Sequence, residues 1–268
     1  MDIMEEEWDI LVIVDACRYD YFEKVYRDYL EGTLRKVTSP ATRTSDWLRS
    51  VFGNEKFEDV VYISGNPYIN SQGIELADGF NAKNNFYKVI DVWDYGWNDD
   101  LKTVPPEKIS KATRMARAKY PNKRLISHFM QPHHPYLSIG PVQKEMANIM
   151  SRGKENKKTT NKLRNFLGKY MEKIFGLKKT YKLRKALGLT QKRELETIAR
   201  KYGNKKLEKL YEKNLRKALE KVSDLVERMP GKMVVTSDHG ELLGEDGCYG
   251  HLSGHEVLKE VPWFEVKT

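Results

Sequence analysis

The chain has 268 residues, 40% hydrophobic and 32% charged, which fits a folded globular protein and excludes a disordered one. No run approaches the roughly 18 apolar residues of a membrane span, MDIMEEEWD is too acidic for a signal or transit peptide, and two cysteines, Cys17 and Cys248, exclude a disulfide scaffold or a cysteine-built zinc cluster. The net charge of +9 is uneven: residues 144–232 hold 27 Lys and Arg against 10 acids, a balance of +17, and the remainder holds 20 against 28, a balance of −8. A cytoplasmic location is expected, with peripheral contact at a membrane through the basic stretch.

The first element is the apolar, β-branched run at 9–14, DILVIV, which ends at Asp15 and predicts a buried parallel strand. Cys17 is expected to pack behind it. Helices are expected over 18–30 and 44–52. The runs 59–64, DVVYIS, and 87–91, YKVID, predict strands, the first leading into a turn at Gly65-Asn66-Pro67. A helix over 107–119 precedes a strand over 124–130, RLISHFM, which runs into Gln131-Pro132-His133-His134-Pro135. The clearest helix covers 205–229, where Leu207, Leu210, Tyr211, Leu215, Ala218 and Leu219 recur at steps of three and four until Pro230-Gly231 stops it. A strand at 232–236, KMVVT, then ends in Ser237-Asp238-His239-Gly240, and Trp263 and Phe264 fall in a last packed strand.

This alternation predicts a three-layer α/β/α sandwich with a mainly parallel central sheet, as a single domain over 1–268. Residues 141–203 interrupt it. They are rich in Lys and Arg, carry apolar residues such as Leu163, Phe166, Ile174 and Phe175, and read as a basic helical insertion.

All six histidines lie in two windows, His128, His133 and His134 in one, His239, His251 and His255 in the other. Each window begins in or just after a strand. In open α/β sheets ligands collect at the carboxyl ends of the strands, where Asp15 and Asp238 also fall. Acids and imidazoles gathered there point to a metal site with neighbouring acid–base groups. Asp15 reads equally as a ligand or as the N-cap of the following helix. For Asp238-His239, Gly240 supplies the backbone freedom that turns both side chains towards one ion. Carboxylate plus imidazole suits zinc or manganese, with magnesium or calcium as weaker fits.

The run VVTSDHGELLGEDGCYGH, residues 234–251, closely resembles the metal-binding signature of sulfatase-like members of the alkaline phosphatase superfamily. DILVIVDACRYD, residues 9–20, is similar to that superfamily's first strand with its metal-binding acid. HFMQPHHPY, residues 128–136, resembles its central Asp-Pro-His-x-Pro-Tyr motif, and the helix bearing Tyr211, Asn214 and Leu215 resembles the one before the Asp-His strand. The four blocks stand in family order, and the insertion at 141–203 lies outside them.

The resemblance implies an alkaline phosphatase-like fold and a hydroxyl or formylglycine nucleophile between the first strand and a helix. Within VTSPATRTSDWLRSVFG, residues 37–53, Thr44 is the choice, followed by Thr42 and Ser39; read without the resemblance, Thr44 is a helix N-cap. Neither cysteine lies in a Cys-x-Pro-x-Arg motif, so phosphate esters are expected ahead of sulfate esters. Gln131 replaces the usual acid of the central motif, so one tight metal is expected, held by Asp15, Thr44, Asp238 and His239. His133 and His251 are assigned to catalysis, and Arg18, His128 and His255 to a second metal or to substrate; Arg18 reads equally as a partner of Asp20. The expected activity is that of a metal-dependent hydrolase or phosphotransferase with a covalent threonine intermediate. Its partner would be an anionic ester, lipid- or sugar-linked. The rival reading is a binding protein with a degenerate catalytic site that uses the basic segment, with interleaved Phe166, Tyr170, Phe175 and Tyr181, on nucleic acid or anionic membrane, nucleic acid being the less favoured.

Overall fold

A computed structural model describes residues 2–53, 55–77, 79–142, 194–251 and 254–267. Its centre is a seven-stranded sheet in the order β2-β9-β6-β1-β5-β3-β4, built from β1 (Ile10–Val14), β2 (Gly32–Thr38), β3 (Phe57–Ser64), β4 (Phe86–Asp91), β5 (Arg124–Phe129), β6 (Met233–Thr236) and β9 (Glu260–Val266). β1 pairs in parallel with β5 and β6, and β3 with β4 and β5. β9 runs antiparallel between β6 and β2. A two-stranded ribbon, β7 (Leu242–Leu243) with β8 (Tyr249–Gly250), stands beside the sheet.

The apolar strands are buried on both faces, as a covered parallel sheet requires. Along β1, Ile10, Val12 and Val14 face one core and Leu11 and Ile13 the other, the two-residue period of a strand. The first core takes Phe22 from α1 (Tyr19–Val25), Ile109 and Ala112 from α5 (Pro106–Lys119), and Leu215 and Leu219 from the 25-residue helix α7 (Asn204–Arg228). The second takes Trp47 and Leu48 from α2 (Thr44–Val51) and Phe80 and Phe86 from the β3–β4 region. The short helices α3 (Ala82–Asn85) and α4 (Val92–Tyr95) flank β4, and α6 (Glu194–Tyr202) packs through Leu195, Ile198 and Ala199 on Tyr136, Leu207 and Tyr211. The three-layer arrangement is the one the sequence predicts.

Two local readings change, and a third is largely outside the described residues. The helix over 18–30 is cut to α1, and Tyr26–Asp28 tighten into a 3-10 turn. β2 has no apolar signature, because GTLRKVT forms the sheet's edge, where solvated Thr, Arg and Lys side chains discourage further pairing. Of the basic insertion at 141–203, residues 143–193 lie outside the described residues, including Phe166, Tyr170, Phe175 and Tyr181. Among the described residues no helix is long and apolar enough to cross a membrane.

Candidate metal centre and active site

The site lies at the carboxyl ends of β1, β5, β3 and β6. Asp15 follows β1 directly, and its backbone is fixed on both sides: its N–H donates to Phe129 O at 3.0 Å, and its carbonyl accepts from His133 N at 3.1 Å. Asp15 caps no helix, since α1 begins after Arg18. Ala16 then takes a positive φ of 61°, a costly conformation outside glycine, and its N–H donates to Asp238 Oδ1 at 3.1 Å. His239 N donates to the same oxygen at 3.0 Å. Asp238 Oδ1 is thus held by backbone donors, and Oδ2 is left to face the site.

There Thr44 Oγ1 donates to Asp238 Oδ2 at 2.7 Å and lies 3.3 Å from His239 Nε2. Thr44 is the first residue of α2; Arg43 holds the cap position, and no side chain caps the helix. Ser39 Oγ instead donates to the carbonyl of Asp238, and Thr42 is buried nearby. The close approach at Gly240 has a cause other than the expected one. Its φ is not positive; a Cβ there would stand 2.2 Å from Val257 O, so glycine is required by packing against backbone.

Asp15, Asp238 and His239 are each about 1% exposed or less, and their ligand atoms lie within 4.8 Å of one another. His239 Nδ1 donates to Gly240 O at 2.9 Å, so in the neutral ring Nε2 offers its lone pair to the two acids, 3.4 Å from Asp238 Oδ2 and 3.9 Å from Asp15 Oδ1. Asp15 Oδ1 has no hydrogen-bond partner although it is buried. An orphaned carboxylate oxygen beside a second acid and an imidazole lone pair is costly as it stands and is the donor set of a divalent cation. The residues present therefore fit a divalent metal ion.

Burial opposes ionisation of Asp15, but the neighbouring His128, His133 and His239 hold its carboxyl well below the usual carboxylate range. Burial lowers the pKa of His239, and Asp238 and Asp15 more than offset it, so the net direction is upward. Asp15 Oδ2 accepts from Asn66 Nδ2 at 2.8 Å and lies 3.4 Å from His128 Nε2. Tyr62 OH is 2.8 Å from His128 Nδ1. Burial pushes the Tyr62 phenol well up, so it stays protonated beside His128 Nδ1. Neither Asn66 nor Tyr62 was expected to hold a ligand; the strand end running into Gly65-Asn66-Pro67 was the available signal for the first.

Beyond the metal group, His133 Nε2 and His251 Nε2 lie 3.2 Å apart, and the His251 ring meets that of His239 edge-on with centroids 4.4 Å apart. A second group of potential ligands is formed by His133, His134 and the buried Glu241. Gln131 takes no part; its Nε2 donates to Val104 O at 3.1 Å. Two expected site residues, Arg18 and His255, do not line the cavity over these groups, although Arg18 reaches the Glu241 carbonyl at 3.3 Å. The Arg18 guanidinium is engaged by both oxygens of Asp20 and by Glu245, and His255 caps the 3-10 turn at Glu256–Leu258.

Asp15, Thr44, His133, His239 and His251 line the floor of a cavity of about 880 Å³. Its walls are largely apolar: Tyr68, Trp97, Met130, Tyr136, Ile139 and Ile198. Glu194 and Ile198 bring α6 into the wall, and Glu194 pairs with His134 Nε2 at 3.0 Å.

No protein-family model matches the chain, and no curated protein matches it. Solved structures do. The integral membrane lipooligosaccharide phosphoethanolamine transferase A (EptA) of Neisseria meningitidis superposes with a TM-score of 0.52 at 15% identity, covering 95% of this chain and 47% of that one. The C-terminal periplasmic domain of the phosphoethanolamine transferase EptC of Campylobacter jejuni gives 0.52 at 15% identity, over 96% of this chain and 77% of that one. The soluble domain of the Neisseria EptA gives 0.51 at 14%, over 95% and 75%. The chain thus spans about half of full-length EptA and three quarters of each soluble domain. At these identities the likeness shows the fold, and that fold is alkaline phosphatase-like. The cytoplasmic expectation is overturned, because the matching EptC domain is periplasmic and EptA is an integral membrane protein. An acidic opening stretch and two cysteines describe composition, and neither fixes a compartment.

Proposed function

We propose that the chain is an extracytoplasmic, metal-dependent enzyme of phosphate-ester chemistry, a transferase or hydrolase that works through a phosphothreonine at Thr44. The observation that carries this reading is the hydroxyl of Thr44, at the start of a helix and on a pocket floor, hydrogen-bonded to Asp238 Oδ2 and 3.3 Å from His239 Nε2. Asp15, Asp238 and His239 would hold the ion. A bound zinc or manganese supplies Lewis acidity, which lowers the pKa of a neighbouring hydroxyl and offsets charge on phosphoryl oxygens.

The chain's own groups do the rest. Asp238 Oδ2 holds the Thr44 proton and fixes the direction of the oxygen. The first N–H groups of α2 favour an anionic ester at Thr44. As the Thr44 Oγ1–P bond forms and the ester P–O bond breaks, the leaving oxygen takes a proton from the His133–His251 pair. Water or an acceptor hydroxyl then attacks phosphorus and gives its proton to the His133–His251 pair, the Thr44 Oγ1–P bond breaks, and Thr44 Oγ1 recovers the proton that Asp238 Oδ2 took when the first bond formed. The apolar walls suit an ester with an apolar portion, and a lipid-linked phosphate combines both properties. The names of EptA and EptC, phosphoethanolamine transferases, support the same reaction class.

The test is turnover of p-nitrophenyl phosphate mono- and diesters by chelator-treated protein with zinc or manganese restored. Activity that depends on the ion and is lost in Thr44→Ala and Asp238→Ala supports the reading. Equal activity in those variants contradicts it.

A further inference from the structure

Two side chains of α7 that touch neither the proposed ligands' donor atoms nor the pocket account for much of the hydrogen bonding that shapes the site. Tyr211 is fully buried; its OH donates to Ala16 O at 2.6 Å and accepts from Arg18 N at 2.9 Å. It thereby closes the strained turn between Asp15 and α1, the same turn whose Ala16 N–H fixes Asp238. One turn further along α7, Asn214 is also fully buried. Its Nδ2 lies 3.3, 3.2 and 3.1 Å from the carbonyls of Pro132, His133 and Pro135, and its Oδ1 accepts from Leu137 N at 2.8 Å. The segment 132–137 contains two prolines and so has two fewer N–H groups than carbonyls, and its His133 and Leu137 N–H groups are spent outside the segment, on Asp15 O and Asn214 Oδ1. A primary amide is the one side chain of that size with both donors and an acceptor.

We infer that Tyr211 and Asn214 are positioning residues with separate duties: Tyr211 sets the metal half of the site through the Ala16 turn, and Asn214 sets the proton-transfer half through the loop that carries His133. The inference rests on the function proposed above. Both residues sit on one face of one rigid helix, three positions apart, so α7 fixes the distance between the two halves. Outer-shell hydrogen bonds of this kind are worth about 10–100-fold in metal affinity or activity.

The experiment uses zinc alone as the first probe, titrated against a chromogenic chelator, and p-nitrophenyl ester turnover as the second, on the full chain with Tyr211→Phe, Asn214→Asp and Thr44→Ala. Tyr211→Phe should weaken zinc binding by about 10-fold or more. Asn214→Asp keeps the acceptor for Leu137 N but turns an oxygen towards three carbonyls; it should bind zinc as the wild type does and lose kcat by about 10-fold or more, with KM changing less. Wild-type zinc affinity in Tyr211→Phe, or wild-type kcat in Asn214→Asp, overturns the inference while the functional reading stands. Equal losses of zinc affinity and kcat in both variants overturn the division of duties. A wild-type protein that binds neither zinc nor manganese overturns the functional reading and this inference with it. Hydrogen exchange on the wild type needs no variant to fold: the amides of Arg18 and Leu137, whose acceptors are α7 side chains, should exchange as slowly as those of β1, and fast exchange at either overturns the role of its partner.

Discussion

Asn66 donates from Nδ2 to Asp15 Oδ2 at 2.8 Å, joining the end of β3 to the end of β1 across 51 residues of sequence. One oxygen of Asp15 is therefore occupied by a fixed neutral donor, and the other is free for the ion. This bond orients the carboxylate without competing for charge. Asn66→Ala should weaken zinc binding by about 10-fold, and Asn66→Asp, which sets a second carboxylate against the first, should weaken it more. Zinc titration of the two variants in that order checks the relationship.

Gly240 is held by backbone on two sides, with its N–H donating to Leu258 O at 2.8 Å and its Cα facing Val257 O. A methyl group there must push the Asp238-His239 turn away from the 3-10 turn at 256–258. Gly240→Ala should bind zinc weakly and melt lower than the wild type. A variant with both properties unchanged would show that the turn has room to shift.

The Arg18 cluster makes a prediction about stability and pH. Burial alone would raise the pKa of Glu245, but its hydrogen bond from Arg18 outweighs that and holds it below its usual 4.5. A folded-state pKa below the unfolded one contributes stability above the unfolded value, and that stability is lost as pH falls through the folded value. Glu245→Gln should therefore destabilise the protein near neutral pH by about 1 kcal/mol, the pair being partly screened by solvent, and the difference should shrink as the pH falls below 4.5. Denaturant unfolding at several pH values measures it. A difference that is constant with pH would mean that the charge is not the source.

Trp97 is 44% exposed and lines the pocket wall, while the proposed reacting groups lie on its floor. Trp97→Ala should raise KM for esters with a long alkyl or aryl group and leave KM for a methyl ester unchanged. Steady-state kinetics on such a pair of substrates gives the comparison, and a uniform change would remove Trp97 from substrate binding.

Much of the fold was legible because the buried strands are short apolar runs and α7 has a clean helical period. β2 was not, because an edge strand made of Thr, Arg and Lys carries no apolar signal. The gathering of Asp15, Asp238 and His239 was readable, since each stands at the end of a strand; Thr44 joined them only through the family resemblance, because alone it reads as a helix N-cap. Arg18 was readable only as two alternatives, and its ion pair depends on Glu245, 227 residues away. The orienting contacts were hidden for the same reason. Tyr62 meets His128 across 66 residues, and Tyr211 meets Ala16 across 195. Local pattern holds no record of such pairs until the sheet order brings them together.

The central claim is that Thr44 carries the phosphoryl group during turnover. Its most direct test is rapid acid quenching of the zinc-loaded protein with an activated phosphate ester, followed by peptide mass spectrometry. The account predicts a phosphothreonine at Thr44 that appears only with substrate and is absent in Thr44→Ala. A phosphoryl group on another residue, or full turnover by Thr44→Ala, would contradict it.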